Sequence, residues 1–298
     1  MSMTPTRFLN LKNSLRDELI RDFGVQFNII SMTPVYGGDI NQSYKLETTE
    51  GDFFIKMNDA DVYPGLFEKE ANGLKAIQKT GTIRVPEVIR HGQMEDTAFL
   101  LLEFINEGNK KPGFWETFGH QLAEMHRHTN TFYGWEEDNY IGSLIQFNTP
   151  DESWINFYIE QRLKPQIKMA ANNGLFNLDT LERFELLFDR LYEILPDEFP
   201  HLLHGDMWNG NFLVNQQGNP VLIDPAVYYG NREVDLAMTK LFGGFDDWFY
   251  QAYHEAFPLI PGWEERIPVY QLYPLLVHVN LFGASYVPSV INILDRFV

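Results

Sequence analysis

The chain has 298 residues, 44% of them hydrophobic, with 23 basic against 41 acidic residues, a formal charge of −18 and no cysteine. That is enough apolar material for a core near the size at which one core divides into two. It excludes disulfides and thiolate metal sites, argues against binding a nucleic-acid backbone, and offers no run of roughly eighteen apolar residues to span a membrane. The N-terminus carries no apolar leader core either, so a cytoplasmic address is expected. The acidity suits solubility, or a cationic substrate.

Phe8, Leu11, Leu15 and Leu19 repeat at helical spacing behind Pro5, and Gly24 stops the pattern, which predicts an N-terminal packing helix. Short strands follow near residues 27–30, 44–48 and 53–57. Between the first two lies Tyr36-Gly37-Gly38-Asp39-Ile40. Gly37 and Gly38 form the kind of turn whose backbone N–H groups approach phosphate oxygens, a motif that many plain hairpins share. Lys56 stands among Phe54, Ile55 and Met57. Pointing inward it needs a counter-charge; pointing outward it is an edge-strand lysine. The helical stretch 67–77 offers a partner, because Glu70 shares the face of Phe67, Leu74 and Ile77 while Glu68 does not. In a kinase such a pair holds the α and β phosphates of ATP.

A strand over 85–90 precedes an apolar one over 98–105. In a kinase the end of that second strand is the hinge, where the backbone of Leu102, Glu103, Phe104 and Ile105 would bond adenine. From Phe114 the pattern turns helical through Phe118, Leu122 and Met125. His120, His126 and His128 read as structural or exposed, because no metal-ligand set accompanies them. A loop over 132–142 leads to helices over 151–163 and 178–195.

The densest chemistry lies at His204-Gly205-Asp206-Met207-Trp208-Asn209-Gly210-Asn211. Apolar strands flank it, a turn at 215–219 makes the following pair a hairpin, and Asp224 ends the second strand. Singly, these residues are turn formers. As a set they match the protein-kinase layout H-R-D-x-x-x-x-N followed by D-F-G. Asp206 would then accept the hydroxyl proton, and Asn211 and Asp224 would hold Mg²⁺. His204 is assigned a supporting role, as is Asp235, which opens the next helix and would brace the loop. Trp208 offers an indole for a sugar face or a cationic amine. His278 and Asn280 interrupt an apolar helix over 270–283 and face either each other, the backbone or a substrate.

The form H-G-D-x-W-x-x-N is similar to that of the fructosamine kinase family, relatives of the aminoglycoside phosphotransferases. So are Asn139-Tyr140-Ile141-Gly142, Gln161-Arg162-Leu163, Asp224-Pro225-Ala226, Tyr229-Gly230 through Asp235, and His278 to Gly283. The resemblance implies an α+β, bilobal protein-kinase-like fold, with a small β-rich N-lobe over 1–105 and a mostly helical C-lobe over 106–298. It implies ATP and Mg²⁺ as cofactors and phosphorylation of a ketosamine at its 3-hydroxyl, on a small molecule or on a glycated protein lysine, as a deglycation step. Neither nucleic acid nor membrane is an expected partner. Kinases of other amino-alcohols, such as aminoglycosides or choline, and a silent kinase-like binding protein are the alternatives. Some relatives carry a cysteine where this chain has Asp39, so redox control through that position is unavailable here.

Overall fold

Phe53, Ile55 and Met57 alternate with Phe54, Lys56 and Asn58, and that period of two gives a strand with unlike faces. In the computed structural model, which describes residues 5–35 and 41–298 (side chains from residue 12 onward, Asp22 excepted), the stretch is β3 (Gly51–Asp59) of a five-stranded antiparallel sheet. The order is β1-β2-β3-β5-β4, with β1 Ile29–Pro34, β2 Gln42–Thr48, β4 Val88–Met94 and β5 Thr97–Glu103. Gly37, Gly38 and Asp39 lie outside the described residues, as do the side chains of Phe8 and Leu11. α1 (Pro5–Phe23) sends Leu15 and Leu19 into a core with Phe53, Ile55, Met57, Phe99 and Leu101. Gly24, at φ +85°, ends the helix. Lys56 belongs to the other face of β3. The next helix, α2 (Leu66–Thr80), buries Phe67, Ala71, Leu74 and Ile77 at helical spacing.

The chain divides into two compact units, residues 1–75 with 86–107, and residues 76–85 with 108–298. The second is mostly helical: α3 (Phe114–His126), α4 (Trp154–Phe157), α5 (Lys164–Asn172), α6 (Leu178–Ile194), α7 (Glu233–Leu241), α8 (Asp247–Ala256), α9 (Trp263–Phe282) and α10 (Val287–Phe297). Short antiparallel ribbons lie among them, pairing β6 (Asn139–Ile141) with β7 (Leu144–Gln146), β9 (Phe212–Val214) with β10 (Pro220–Leu222), and β8 (His201–Leu203) with β11 (Tyr228–Gly230). The helix expected over 151–163 starts instead at Trp154, where Ser153 Oγ caps the Asn156 N–H. It continues into α5 through a π-helical turn, Tyr158–Leu163. Pro165 has no N–H to give the Gln161 carbonyl, which accepts from Arg162 Nη1 at 3.2 Å instead. The segment expected as the final helix is the latter part of α9, and α10 follows it with Pro288 in its first turn. Among the described residues no helix is long and apolar enough to cross a membrane.

Candidate active site

β8 and β11 pair antiparallel, Leu203 opposite Tyr228, so the chain from His204 to Val227 leaves and returns at one place. Inside that excursion β9 and β10 form the expected hairpin, with Asn215 Oδ1 accepting the N–H groups of Gln217 and Asn219 to make its turn. Asp206 and Asn211 lie on the loop before β9, and Asp224 lies just past β10. The Asn211 amide donates to the backbone oxygen and to Oδ2 of Asp206, at 2.8 Å each. The Ile223 N–H donates to the Asn211 carbonyl at 3.0 Å, which ties the segment carrying Asp224 to the loop carrying Asp206.

The loop is braced from beneath. Asp235, on the first turn of α7, accepts the His204 N–H at 2.7 Å and the Gly205 N–H at 2.9 Å. His126 Nε2 approaches the same carboxylate at 3.1 Å while its Nδ1 meets the Tyr253 hydroxyl at 2.7 Å. Burial alone would raise the Asp235 carboxyl, but the bonds from His126 and the loop N–H groups outweigh it and hold it below the usual range. His204 is buried and its pKa is lowered by that burial. Its Nε2 lies 2.9 Å from the Ile223 carbonyl and its Nδ1 receives the Asp206 N–H at 3.3 Å, the pattern of a neutral Nε2-H imidazole. Gly205 adopts φ +83°, and a Cβ there would sit 2.0 Å from the Ala226 carbonyl oxygen. No arginine could stand at this position, which accounts for the departure from H-R-D.

Electrostatically the site is poised for a cation. Burial pushes the Asp206 carboxyl up to about 7; the Asn211 bond opposes this, and the negative charges of Asp224 and Asp235 reinforce it. Asp224 has φ +56°, a left-handed conformation that non-glycine residues hold only when their surroundings impose it. Asn211 Oδ1 receives no hydrogen bond among the described residues. Among these residues no group of three or more His, Cys, Asp or Glu could hold a metal ion by itself. An amide oxygen and a carboxylate do fit Mg²⁺, a hard cation that is usually completed by substrate phosphates and water.

In the first unit, Lys56 is buried and its Nζ lies 2.7 Å from Glu70 Oε1, whereas Glu68 is exposed. The expected adenine-binding stretch is not uniform. Leu102 is still within the sheet, between Phe54 and Val88, and Glu103 spends its N–H on the Glu87 carbonyl at 2.9 Å. Of the N–H groups in that stretch, those of Phe104 and Ile105 meet no partner among the described residues.

Trp208 is exposed, its ring lying where a side chain on residue 210 would stand, so Gly210 makes room for it. It meets Phe242 edge to face at 5.9 Å, and Phe242 lies 4.9 Å from the half-buried ring of His278. His278 Nδ1 is occupied by the Pro274 carbonyl at 2.7 Å. Asn280 does not join this row. Two residues along a helix is more than half a turn, and its amide donates to Gln166 O and Oε1 at 3.0 and 2.8 Å. Phe242 was not marked by the sequence, since nothing around it distinguishes it from a core aromatic. Nor were Gln146 and Asn148, which join Arg162 behind the loop; Arg162 itself was marked only as part of a family segment, with no role.

The profile of the fructosamine kinase family matches residues 11–298. A protein of Enterococcus faecium named "Probable ketoamine kinase" is 42% identical over 266 residues, covering 89% of this chain and 94% of that one. Protein-ribulosamine 3-kinase of Arabidopsis thaliana, described as chloroplastic, is 38% identical over 94% of this chain and 86% of its own. A solved structure from Haemophilus somnus, provisionally designated a fructosamine-3-kinase, superposes with a TM-score of 0.86 at 30% identity, over 96% of this chain and 97% of that one. The aminoglycoside phosphotransferase APH(4)-Ia shares the fold alone, with a TM-score of 0.63 at 14% identity over 96% and 99% of the two chains. An α+β, protein-kinase-like chain with this loop, this hairpin and these relatives along almost its whole length belongs to the fructosamine kinase family.

Proposed function

We propose that this protein is an ATP-dependent ketosamine 3-kinase that phosphorylates the 3-hydroxyl of sugar–amine adducts, free or on the lysines of glycated proteins. The observation that carries the reading is the Asp206–Asn211–Asp224 set, held together by three hydrogen bonds within one excursion of the chain. Family membership and the ketoamine and ribulosamine kinases among its relatives support the acceptor class. In this reading Asp206 orients the acceptor hydroxyl and takes its proton, which requires hydrogen-bond reach to that hydroxyl. Lys56, steadied by Glu70, neutralises phosphate oxygens, and Phe104 and Ile105 offer backbone to adenine. Asn211 and Asp224 would hold Mg²⁺, which when bound neutralises charge on the transferring phosphoryl group. Trp208 and His278 wall the acceptor pocket, with Phe242 between them. Asp235, His126 and His204 keep the loop in place and touch no reactant.

The deciding experiment incubates the protein and Mg·ATP with ribulose-, erythrulose- and fructose-lysine, an aminoglycoside and choline, and reads the product by mass. Phosphorylation of at least one ketosamine and of neither other class is expected. A product only from the aminoglycoside or choline would replace the reading. ATP turnover with no phosphorylated acceptor would point to a kinase-like protein without this activity.

A further inference from the structure

Two of the segments that separate this family from protein kinases, Asn139 to Gly142 and Gln161 to Leu163, have no part in the reaction as proposed. In the structure they meet. The Arg162 guanidinium is fully buried and lies over the rings of Tyr228 at 3.9 Å, Phe157 at 4.6 Å and Tyr273 at 5.4 Å. It donates from Nη2 to Asn148 Oδ1 at 2.7 Å and from Nη1 to the carbonyls of Gln161 and Phe147, while Nε has no partner. Among the described residues no carboxylate pairs with it. Three aromatic faces recover part of the desolvation cost, yet a buried unpaired cation remains a poor device for stability.

Hydrogen-bond direction gives it a purpose. Arginine can only donate, so Asn148 must turn its oxygen toward Arg162. Its Nδ2 is then left to donate to Asn139 Oδ1 at 3.0 Å, and Asn139 in turn donates to the Val227 carbonyl at 2.8 Å. From the other side the Tyr273 hydroxyl donates to Gln146 Oε1 at 2.9 Å. Gln146 Nε2 then donates to Asn139 Oδ1 at 2.8 Å and to the Ala226 carbonyl at 3.0 Å. The two relays end on consecutive carbonyls just beyond Asp224-Pro225. On the near side, the Ala226 N–H donates to the His204 carbonyl at 2.9 Å and the Ile223 carbonyl is held by the His204 ring. The left-handed backbone of Asp224 is thus clamped before and after.

We propose that Arg162 is a positioning residue. As the donor-only end of a buried amide relay, it fixes the carbonyl of Val227, beside the Tyr273–Gln146 relay that fixes the carbonyl of Ala226, and thereby the placement of the Asp224 carboxylate. This rests on the reading of Asp224 as a holder of the nucleotide-bound cation.

The test measures Mn²⁺ binding to the protein·ADP complex, together with kcat and both KM values on ribulose-lysine, for wild type, Arg162→Lys and Tyr273→Phe. A lysine keeps the charge but cannot serve Asn148 and the carbonyls while lying flat on the rings. Mn²⁺ affinity and kcat are expected to fall about tenfold in Arg162→Lys, with the ketosamine KM within about twofold, as for other groups that orient a metal ligand without touching the metal. Tyr273→Phe keeps the packing but leaves Gln146 Oε1 without its donor, so its melting temperature should drop modestly, while its Mn²⁺ affinity, read well below that temperature, should fall about tenfold. Wild-type cation affinity in the variants that fold would overturn the proposal. So would a lower kcat at unchanged Mn²⁺ affinity. If wild type binds Mn²⁺·ADP yet phosphorylates no ketosamine, the substrate reading fails, and the positioning proposal is judged on cation binding alone.

Discussion

In the proposed reaction Asp206 is asked to be both a buried acid and a working base, and the conflict has measurable consequences. Asp206→Asn should leave ATP affinity within about twofold and cut turnover at least a hundredfold, since general-base contributions of about 10²–10⁴ are typical; wild-type-like turnover would remove it from its role. The same residue costs stability at high pH. Its folded pKa of about 7 stands above the ordinary 3.8, so the stabilising contribution of the protonated form is fully present below pH 3.8 and is lost as pH rises through 7. Metal-free Asp206→Asn should therefore gain on wild type as pH rises from 3.8 to 7, with a smaller advantage at pH 5 than above pH 7. At pH 8.5 it should be more stable by about 1–2 kcal/mol, discounted because Asp206 as a residue is only half-buried. Added Mg²⁺ should narrow that gap by favouring the carboxylate. A gap independent of pH would show the carboxyl ionised throughout. Trp208, exposed beside Phe242 and His278, should behave as a binding residue: Trp208→Ala raises the ketosamine KM about tenfold or more, a typical loss for a stacked aromatic contact, with the ATP KM little changed. An unchanged ketosamine KM in a less stable protein would make the tryptophan a packing residue.

At the level of elements, the turn that opens the catalytic loop leaves least freedom. At Gly205 both the positive φ and the 2.0 Å approach to the Ala226 oxygen oppose any side chain. Gly205→Ala should destabilise the protein by about 2–4 kcal/mol, the range of strained-backbone and overpacking changes, and turnover should fall with it; a melting temperature equal to wild type would contradict so tight a turn. Much of this region was legible beforehand, because the H-G-D-x-W-x-x-N spacing, the Asn215–Asn219 turn and Asp224 form a linear pattern and the strands beside it are short and, His201 apart, apolar. The Lys56–Glu70 pair was legible for a similar reason, through helical spacing that separates Glu70 from Glu68. What escaped was long-range or too brief for periodicity. The strands β6 and β7 are three residues each, too short for an alternation to register. Arg162 reads as an ordinary helix arginine until the rings of Phe157, Tyr228 and Tyr273 are seen around it. The difference between His278 and Asn280 depends on which way α9 is turned, and a helix apolar on nearly every side does not announce its orientation.

The molecule as a whole is strongly anionic, at −18. Ketosamines that retain a protonated amine would be drawn toward it and ATP would not. The KM for a cationic ketosamine should rise by about twofold or more between low and high salt, while that for a neutral acylated analogue stays level, because salt screens the field and not the pocket. Equal salt dependence for both would assign the charge to solubility alone. The pairing of β8 with β11 has a further consequence. A detour that departs and rejoins at one point can be exchanged without rethreading the rest of the chain. Asp206, Asn211 and Asp224 ride on that detour together with Trp208, whereas His278 does not. Three of the proposed phosphoryl-transfer residues, though not Lys56, are thus packaged as an exchangeable cartridge. In a chimaera carrying residues 204–227 of a relative with another sugar preference, a change of preference would trace to the cartridge, Trp208 included, and constancy would trace to the frame that receives it.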